Sequence, residues 1–544
     1  MSQNPSDGPN RRELLQRAAG GAFVLSTSGW LAACGGGSTA GSSGGTHGNA
    51  FRIITTEPTS LDPNITIDLS IYTNVQMFEP LYRLHTDGSF EARGGKSVKS
   101  NGNGTEWTFE LDPAYKWSDG KPVTAEDYKY SWLRTLDPKT ASPIAYFLFA
   151  IKNAQAYNSG DLKDPSKVGI EAPDAHTLRV TMEQPSPQFR AIAALPYLAP
   201  VPKHVVEKHG KQWTDPANIV ANGPYMLESR KIGQRISLKA NPHYGGGKPA
   251  IATAVLTTGV SDVDTAQTRA YESGEVDFAN GVDAQNVARI KKELPDEFTP
   301  EPLSASQWVQ FDNRNKKWAD IRLRRALSSA IDRTGLVAAI SEGTMKPAPT
   351  IVPEGILGHN DADSQVVPID QARKLLADAG FPQGRGFPKT TMTISSNDKT
   401  LAELVQQMWH ENLGIDVSIA SYEDTAFRKW IETRANKPYD LAIFRWFSDY
   451  EDPVNWYKEI FLDDPRQIHF TDKAYEALVK SGVGEMDAAK RKQIFLEANR
   501  MIESKIPVIP LYHNTSLWLR KPYLKGLEAS RILGLYYIRE ASFA

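Results

Sequence analysis

Residues 116–127 read KWSDGKPVTAED, and they join a strand pattern to a helix pattern. Before them, residues 105–111 (TEWTFEL) alternate polar and apolar side chains with period two, which predicts a half-buried strand. Within them, Thr124 precedes Glu126 and Asp127 as an N-cap precedes the first turn of a helix. The apolar and aromatic residues of the expected helix are Tyr128, Trp132 and Leu133.

Strand and helix patterns follow one another along the rest of the chain. Residues 178–182 and 234–239 alternate apolar with polar side chains, as half-buried strands do. Residues 320–340 and 401–413 place apolar side chains at helical spacing. Residues 440–444 (DLAIF) contain a continuous apolar run, which predicts a strand covered on both faces. The fold class predicted from these patterns is α/β.

The composition is that of an ordinary globular protein without a basic surface. Of 544 residues, 40% are hydrophobic and 23% are charged, and the formal net charge is −2. About 495 residues follow residue 49, which is enough for two or three domains. The sequence contains no block of Lys and Arg, so no nucleic-acid partner is expected. Its many aromatic residues suit a core, and they also suit a ligand held between two lobes.

Cys34 is the only cysteine of the sequence, and it follows the apolar segment 18–33. Residues 31–34 (LAAC) resemble a bacterial lipobox, which implies cleavage before Cys34 and a lipid on its thiol. Sixteen residues are too few to span a bilayer core of about 30 Å as a helix. We therefore expect residues 1–34 to be a lipoprotein signal peptide and residues 35–49 to be a Gly/Ser tether to the membrane.

Two arginines near the amino terminus leave the export route open. Arg11 and Arg12, with the residues after them (RRELLQ), resemble a twin-arginine signal. A general secretory signal that contains two arginines would look the same. Either route places the mature chain on the periplasmic or extracellular side of the cell membrane, attached through the lipid on Cys34.

The usual signatures of catalysis and of cofactor binding are missing from the sequence. Gly95-Lys96-Ser97 ends like a phosphate-binding loop but lacks the first glycine of that motif. His204, Glu207 and His209 lie close together, yet their spacing fits neither of the zinc-binding helix motifs. We expect no catalytic residues, no metal site and no cofactor, and hence a binding protein rather than an enzyme.

Several segments resemble, in their order along the chain, those of the extracellular solute-binding proteins, family 5, which serve peptide/nickel ABC importers. Within that family the oligopeptide-binding proteins look most similar. The matching segments are EPLY (79–82), KWSDGKPVTAED (116–127), YSW (130–132), DPKTASP (137–143), NGPY (222–225), NPHY (241–244), RLRRAL (322–327), LLADAGF (375–381), WFSDY (446–450) and IPVIPLY (506–512). Together they cover nearly the whole mature chain.

The resemblance implies a periplasmic-binding-protein-like fold of class II, cluster C, in which two lobes with a hinge carry an extra domain. Two strands would cross between the lobes, near Glu301-Pro302 and near Thr515. The implied boundaries are 50–78, 198–308 and 515–544 for lobe I, 79–197 for the additional domain and 309–514 for lobe II.

The resemblance also implies a site for the ammonium group of a peptide. Asp449 occupies the motif position that binds this ammonium in oligopeptide-binding proteins. Arg445, Trp446 and Phe447 match the segment whose backbone pairs with the peptide, so that affinity comes from main-chain groups common to all peptides. The alternative for Asp449 is a turn or N-cap residue before Pro453.

Two further positions are implied, and two depart from the family pattern. Arg434 matches an arginine near the peptide carboxylate, and Phe427 matches an aromatic residue of the pocket wall. Ile443 stands where some relatives have a carboxylate-binding arginine, although Arg445 follows two residues later. Asp398 stands where a basic residue would be expected. Ligand length, and the presence of a free carboxyl terminus on the ligand, are therefore left open.

The implied function is that of a lipid-anchored, monomeric substrate-binding component of an ABC importer. It would capture an oligopeptide ligand between its lobes and deliver it to a permease, with ATP hydrolysis by a separate ATPase subunit. One alternative within the family is a different cargo, such as a nickel chelate, a glycoside or an opine. Another is an exported hydrolase, which would need a nucleophile–base pair that the sequence does not reveal.

Replacing Cys34 by Ala tests the predicted lipid anchor, because it removes the thiol that would carry the lipid. We expect the variant to lose incorporation of labelled fatty acid and to leave the membrane fraction of cells that express it. His47→Ala, a change within the tether, should keep both. Lipid labelling that persists without Cys34 would contradict the prediction.

Overall fold

The computed structural model describes residues 50–434 and 437–544. The predictions for the signal peptide, the tether and the lipidated Cys34 concern residues outside this described part. Within it, none of the helices combines the length and apolar character that a membrane crossing needs.

Strands and helices alternate along the chain, as the α/β prediction requires. The strands are β1 (Ala50–Ile54), β2 (Tyr82–Leu84), β3 (Phe90–Ala92), β4 (Gly95–Ser100), β5 (Glu106–Leu111), β6 (Ile170–Asp174), β7 (Thr177–Thr181), β8 (Tyr225–Lys231), β9 (Arg235–Ala240), β10 (Thr253–Thr257), β11 (Phe278–Ala279), β12 (Phe298–Phe311), β13 (Lys346–Pro347), β14 (Thr391–Ser395), β15 (Ser418–Tyr422), β16 (Leu441–Phe447), β17 (Val508–Arg520), β18 (Leu524–Lys525), β19 (Glu528–Ala529), β20 (Tyr536–Tyr537) and β21 (Ser542–Phe543). The α-helices are α1 (Ile71–Met77), α2 (Ala125–Leu136), α3 (Ala154–Ser159), α4 (Phe189–Ala193), α5 (Lys203–His209), α6 (Val263–Ser273), α7 (Val287–Glu293), α8 (Ile321–Ser329), α9 (Arg333–Ser341), α10 (Ile369–Asp378), α11 (Lys399–Leu413), α12 (Asp424–Glu432), α13 (Lys473–Val483) and α14 (Ala488–Lys505).

A mixed four-stranded sheet has the order β1-β10-β9-β8. β1 runs parallel to β10, and the other two pairs are antiparallel. Phe51 and Ile53 alternate along β1 and are fully buried, so one face of the sheet packs into the core. Gly223 lies just before β8, and a Cβ there would come within 2.6 Å of the Met77 backbone. Glycine thus permits this close approach of two segments.

The strand and helix predicted around residues 105–136 are both present, as β5 and α2. Thr124 and Asp127 form a capping box, in which the Asp127 carboxylate accepts a 2.9 Å hydrogen bond from the Thr124 backbone N–H. Trp132 is fully buried and donates a 2.9 Å hydrogen bond to the Leu198 carbonyl. α2 packs on an antiparallel sheet of order β4-β5-β7-β6.

The largest sheet has the order β11-β17-β12-β16-β14-β15, with β13 paired to β17. Its centre is the antiparallel pair of the two longest strands, β12 and β17. Pro302 lies opposite Thr515, and the register breaks between Pro302 and Ser306. Breaks of this kind bend strands. The segments that the resemblance implied as crossing strands thus lie side by side, next to a register irregularity.

β16 has one fully paired edge and one that is mostly unpaired. All of Leu441–Phe447 pairs with β12, whereas β14 pairs only with Leu441 and Ala442. Residues 443–447 therefore present an edge that has no strand partner within residues 50–434 and 437–544. Such an edge directs alternate N–H and C=O groups outward, where another extended chain can pair with them.

The prediction of a strand covered on both faces is confirmed for β16. Ile443 packs in one apolar cluster with Val405, on one side of the sheet. Ala442 and Phe444 pack in a second cluster with Trp456, on the other side. Arg445, on the same face as Ile443, is exposed, whereas Trp446 on the other face is still buried.

The helical spacing over residues 320–340 belongs to two helices, α8 and α9. Asp332 lies between them, and its carboxylate accepts hydrogen bonds of 3.1 and 3.0 Å from the N–H groups of Thr334 and Gly335. This cap starts a new helix. The apolar spacing continues across the break, because Ala330 and Ile331 are also buried, so spacing alone does not reveal two helices.

Candidate functional site

Asp449 lies in the loop directly after β16 and lines a cavity of about 820 Å³. Residues 146–192, which precede the first sheet's strand β8, form one wall of this cavity, and residues 446–483 form the other. The loop thus places a carboxylate where two separate parts of the chain face each other.

Asn455 fixes the loop that carries Asp449. Its side-chain oxygen accepts hydrogen bonds from the Trp446 indole N–H at 2.8 Å, the Ser448 hydroxyl at 3.1 Å and the Asp449 backbone N–H at 3.3 Å. Asn455 itself is fully buried. The alternative role considered for Asp449, capping the turn after Pro453, falls to Asp452, whose carboxylate accepts a 2.9 Å hydrogen bond from the Val454 N–H.

The Asp449 carboxyl group is strongly influenced by its surroundings. Burial raises its pKa to about 6, although hydrogen bonds from Asn455 and Tyr146 and the positive charge of Arg466 act in the opposite direction. Tyr146 reaches Asp449 from the far wall of the cavity and is itself 40% exposed. Asp449 would gain from a cationic partner, because a positive charge beside it would offset the cost of burying its negative charge.

Glu459 is a second carboxylate of the same cavity, and the sequence comparison did not single it out. It accepts hydrogen bonds from the Tyr450 hydroxyl and, at 2.7 Å, from the Asn455 side-chain amide. Burial, together with the nearby charge of Asp449, raises its pKa to about 7, although the hydrogen bond from Tyr450 acts in the opposite direction. Asn455 and Glu459 are four residues apart, a helical spacing that could have indicated their contact.

The charges around the cavity are predominantly negative. Lys458 is paired with Asp463 at 2.6 Å and is thereby neutralised. Asp449 and Glu459 therefore dominate the electrostatic potential in the cavity, because both are buried more deeply than the Lys458–Asp463 pair. Two buried acids, one of which raises the pKa of the other, are an arrangement suited to a cation rather than to an anion.

Trp446 and Phe447 point to opposite faces of β16, as neighbouring strand residues do. Trp446 lines the cavity that holds Asp449. Phe447 lines a second cavity of about 520 Å³, together with Leu69 and Leu303. The end of β16 therefore separates two cavities, and its unpaired edge runs between them.

Exposed apolar side chains accompany these cavities. Ile67 and Leu69 are 47% and 45% exposed, and they lie in a loop before α1. Leu69 contributes to the cavity of Phe447, and Tyr146 to that of Asp449. Large apolar side chains grouped at the surface beside a cavity indicate a place where a bound molecule covers them.

Arg445 and Asp398, two of the departures from the family pattern, lie near each other. Burial raises the pKa of Asp398, while the charge of Arg445 and a 3.0 Å hydrogen bond from Gln307 lower it. Gln307 is also the residue opposite Arg445 in the sheet. The acidic residue at position 398 is thus compensated by the arginine at position 445.

Phe427 and Arg434 lie away from the two cavities. Phe427 is buried and stacks on Phe444, with ring centroids 4.8 Å apart. The Arg434 guanidinium lies 5.0 Å from the centre of the Trp430 ring. Neither residue belongs to the cavity walls formed by the described residues. Their roles in the pocket wall and at a ligand carboxylate stay predictions.

One Ser–His pair is present, on the two long strands, but its geometry does not activate the serine. Ser306 donates a 2.8 Å hydrogen bond to the Ile351 carbonyl, so the His513 ring nitrogen 2.7 Å from its hydroxyl acts as a donor. Burial lowers the pKa of His513 to about 3, and Ser306 is fully buried. A general base would have to accept the serine proton, and this histidine does not.

The His204–His209 segment forms helix α5, where His204 contacts Asp119 at 2.7 Å. Across the described residues, no group of three or more His, Cys, Asp or Glu side chains is arranged to hold a metal ion.

The chain has a mixed α/β fold with two long antiparallel strands at the centre of its largest sheet, and the cavity after β16 is lined by two buried acids. These features are typical of a solute-binding protein. The sequence profile of "Bacterial extracellular solute-binding proteins, family 5 Middle" matches residues 95–467, more than half of the chain. The chain belongs to this family. It is accordingly a binding protein and not an enzyme, and its fold is the two-lobe periplasmic-binding-protein fold.

Among curated relatives, the periplasmic oligopeptide-binding protein OppA of Salmonella typhimurium is 32% identical over 80% of this chain and 81% of its own length. The periplasmic murein peptide-binding protein MppA of Escherichia coli is 31% identical over 90% of this chain and 92% of its own. The probable deoxycholate-binding periplasmic protein YgiS of Escherichia coli is 30% identical over 89% of this chain and 91% of its own.

Solved structures agree with this family. The unliganded open form of MppA superposes with a TM-score of 0.79 at 30% identity, over 91% of this chain and 97% of the other. A second structure of Escherichia coli MppA, also at 30% identity, gives 0.70 over 91% and 98%. Haemophilus influenzae OppA in complex with RPPGFSPFR gives 0.70 at 25% identity, over 91% and 99%. Of these three structures, the open form of MppA is therefore the most similar to the described part of this chain.

Replacing Glu459 by Gln tests the electrostatic cost of the acid pair. Folding raises the pKa of Glu459 from 4.5 to about 7, so the folded chain holds this proton more tightly and loses stability as the pH rises through that range. Glutamine can satisfy both Tyr450 and Asn455 without a charge. The variant should gain stability over the wild type, on the order of 1–3 kcal/mol, as the pH increases from 5 to 8.

Urea unfolding of both proteins at a series of pH values measures this difference. Glu476→Gln is the matched control, because Glu476 lies on the surface of α13 and pairs with Lys480 at 2.6 Å, which lowers its pKa. This control should show no gain at high pH. A Glu459→Gln effect that is constant or falls with pH would contradict the described burial.

Proposed function

We propose that the chain is the substrate-binding component of an ABC importer and that it captures oligopeptides between its two lobes. The observation that carries the proposal is the unpaired edge of residues 443–447, which ends at a buried carboxylate. The relatives named for oligopeptides and murein peptides, and the structure of one such relative with a bound peptide, support this ligand class.

The unpaired edge of β16 explains how peptides of different sequence could bind. An extended peptide repeats one N–H and one C=O per residue whatever its side chains are, and it can pair with the edge as an added strand. Its side chains would then alternate between the two sides of that strand. The cavities beside Trp446 and Phe447 offer room on both sides.

The acid pair supplies the orientation of the peptide. Only the amino terminus of a peptide main chain is cationic, so an ammonium group next to Asp449 places that terminus at the end of β16. The backbone N–H of Asp449 donates to the side-chain oxygen of the buried Asn455, which positions the loop before the ligand arrives. Preorganisation of this kind lowers the entropy cost of binding.

Capture by lobe closure follows from the bend in the two long strands. We place lobe I at residues 50–78, 198–308 and 515–544, the additional domain at 79–197 and lobe II at 309–514, with β12 and β17 as the hinge. A ligand that contacts both sides stabilises the closed form by its differential affinity. The greater similarity to an open, unliganded relative is compatible with a ligand-free state.

The proposal also covers how the protein delivers its ligand and how it is attached to the cell membrane. The closed protein would dock as a monomer on a membrane permease, whose ATPase subunits drive import. A lipid on Cys34 would keep the protein at the cell membrane, on the periplasmic or extracellular side. The extracellular character of the family supports export.

A second candidate cargo is an apolar amphiphile. The relative named for deoxycholate and the exposed side chains of Ile67 and Leu69 favour it. Deoxycholate is an anion, however, and the acid pair of Asp449 and Glu459 would repel its carboxylate. Peptides remain the better match because they supply a cation where the acids lie.

Replacing Asp449 by Asn tests the proposed ammonium site. Calorimetry would compare trialanine, tetraalanine, pentaalanine and RPPGFSPFR with their N-acetylated forms, using wild type and variant. Asn keeps the size of the side chain but not the charge, so binding of unblocked peptides should weaken about 30-fold or more, as for a broken buried charge pair. N-acetylation should cause a similar loss in the wild type and little further loss in the variant.

Asp370→Asn provides the control, because Asp370 is exposed on α10 and pairs only with Arg373 at 3.1 Å. Its peptide affinities should match those of the wild type. Equal binding of free and acetylated peptides by the wild type would contradict the ammonium site. Binding of deoxycholate without binding of peptides would show that the ligand is an apolar amphiphile instead.

A further inference from the structure

We infer that Arg466 forms a second subsite, which binds a carboxylate of the ligand a short distance from the ammonium site at Asp449. This inference rests on the proposed function and deepens it. It assigns a residue outside the ten short sequence segments on which the resemblance rests, and it narrows the ligand to peptides that carry a negative charge near their amino end.

Arg466 is a half-buried cation without an acidic partner. Within residues 50–434 and 437–544, no carboxylate lies at ion-pair distance from its guanidinium, and its Nε is buried with no hydrogen-bond partner. Burial is the main cause that lowers the pKa of its guanidinium. Burying a charge without a counter-charge costs free energy. A ligand carboxylate that pairs with Arg466 would offset this cost.

The neighbouring arginines differ from Arg466 in this respect. Arg428 is paired with Asp424 at 2.8 Å. Arg445 is exposed and lies near Asp398. Both repel Arg466 electrostatically, and only Asp449 and Asp424 offset this at longer range. The local potential at Arg466 is therefore positive, a short distance from the negative potential at the acid pair.

The position of Arg466 is fixed from both sides. Its backbone carbonyl accepts a 2.7 Å hydrogen bond from the side chain of Gln310 on β12, which is fully buried. Its guanidinium carbon lies 5.6 Å from the ring centre of Trp446 and 5.8 Å from that of Phe444. Aromatic faces stabilise a guanidinium without neutralising it, which leaves its N–H groups available for an anion.

Position along β16 sets the length of ligand that Arg466 would select. Phe444 and Trp446 are two residues apart in the strand, about 7 Å, and they lie beside the unpaired edge. A peptide with its ammonium at Asp449 would bring its second or third residue to this place.

The chemistry recognised is a carboxylate, because only an anion cancels the charge of Arg466 and planar carboxylates match a guanidinium. Two sources could provide it. One is the carboxyl terminus of a dipeptide or tripeptide, and the other is an acidic side chain within the first three residues of a longer peptide.

The test compares ligands that differ only in the carboxylate, using calorimetry on wild type, Arg466→Gln and Arg466→Lys. The first pair is trialanine and trialanine amide. The second pair is Ala-Glu-Ala-Ala-Ala amide and Ala-Gln-Ala-Ala-Ala amide. The wild type should bind at least one carboxylate-bearing member about tenfold or more tightly than its neutral partner. Arg466→Gln should abolish that preference and leave the affinity for neutral peptides unchanged, while Arg466→Lys should retain part of it.

Arg500→Gln is the matched control, since it removes an exposed arginine that pairs with Glu497 at 2.8 Å and should leave the preference intact. Arg434→Gln tests the competing assignment of the ligand carboxylate to Arg434. Preference for trialanine alone identifies the carboxyl terminus as the source, and preference for the Glu peptide alone identifies a side chain; both outcomes support the inference. A preference that survives Arg466→Gln, or that is lost only in Arg434→Gln, overturns it. If the wild type binds none of the four peptides, the proposed function fails together with this inference.

Discussion

The structure places two carboxyl groups in one cavity, and the functional account depends on the cost of keeping them there. Asp449 and Glu459 share the side chain of Asn455, and burial raises the pKa of both toward neutrality. Without a cation nearby, ionising both of them opposes folding. A ligand that brings an ammonium group removes this cost, so the free protein is prepared for a cation before it meets one.

The strand that precedes Asp449 supplies the second part of the proposed binding site. β16 is paired along one edge, and the other edge is unpaired over residues 443–447, just before Asp449. The edge offers affinity that does not depend on peptide sequence, and the acids offer direction. Arg466, whose guanidinium lies 5.6 Å from the ring centre of Trp446, would recognise a negative charge near the amino end of the ligand.

Local chemistry in the sequence was enough to predict the α/β class, the capped helix α2 and the doubly covered strand β16. The motif that contains Asp449 and Trp446 pointed to the cavity because both residues belong to one short segment. Glu459 and Arg466 could not be predicted from that segment, since both lie outside it; the spacing of Asn455 and Glu459 indicates their contact with each other but not their proximity to Asp449. The break between α8 and α9 was also hidden, because buried residues continue through the cap at Asp332.

A crystal structure of the protein with bound trialanine tests the central claim most directly. The account predicts the peptide ammonium within hydrogen-bond distance of the Asp449 carboxylate, with the peptide backbone paired to residues 443–447 and the lobes closed around it. A complex in which Asp449 faces open solvent, or in which a ligand without a cationic group fills the cavity beside it, would contradict the account.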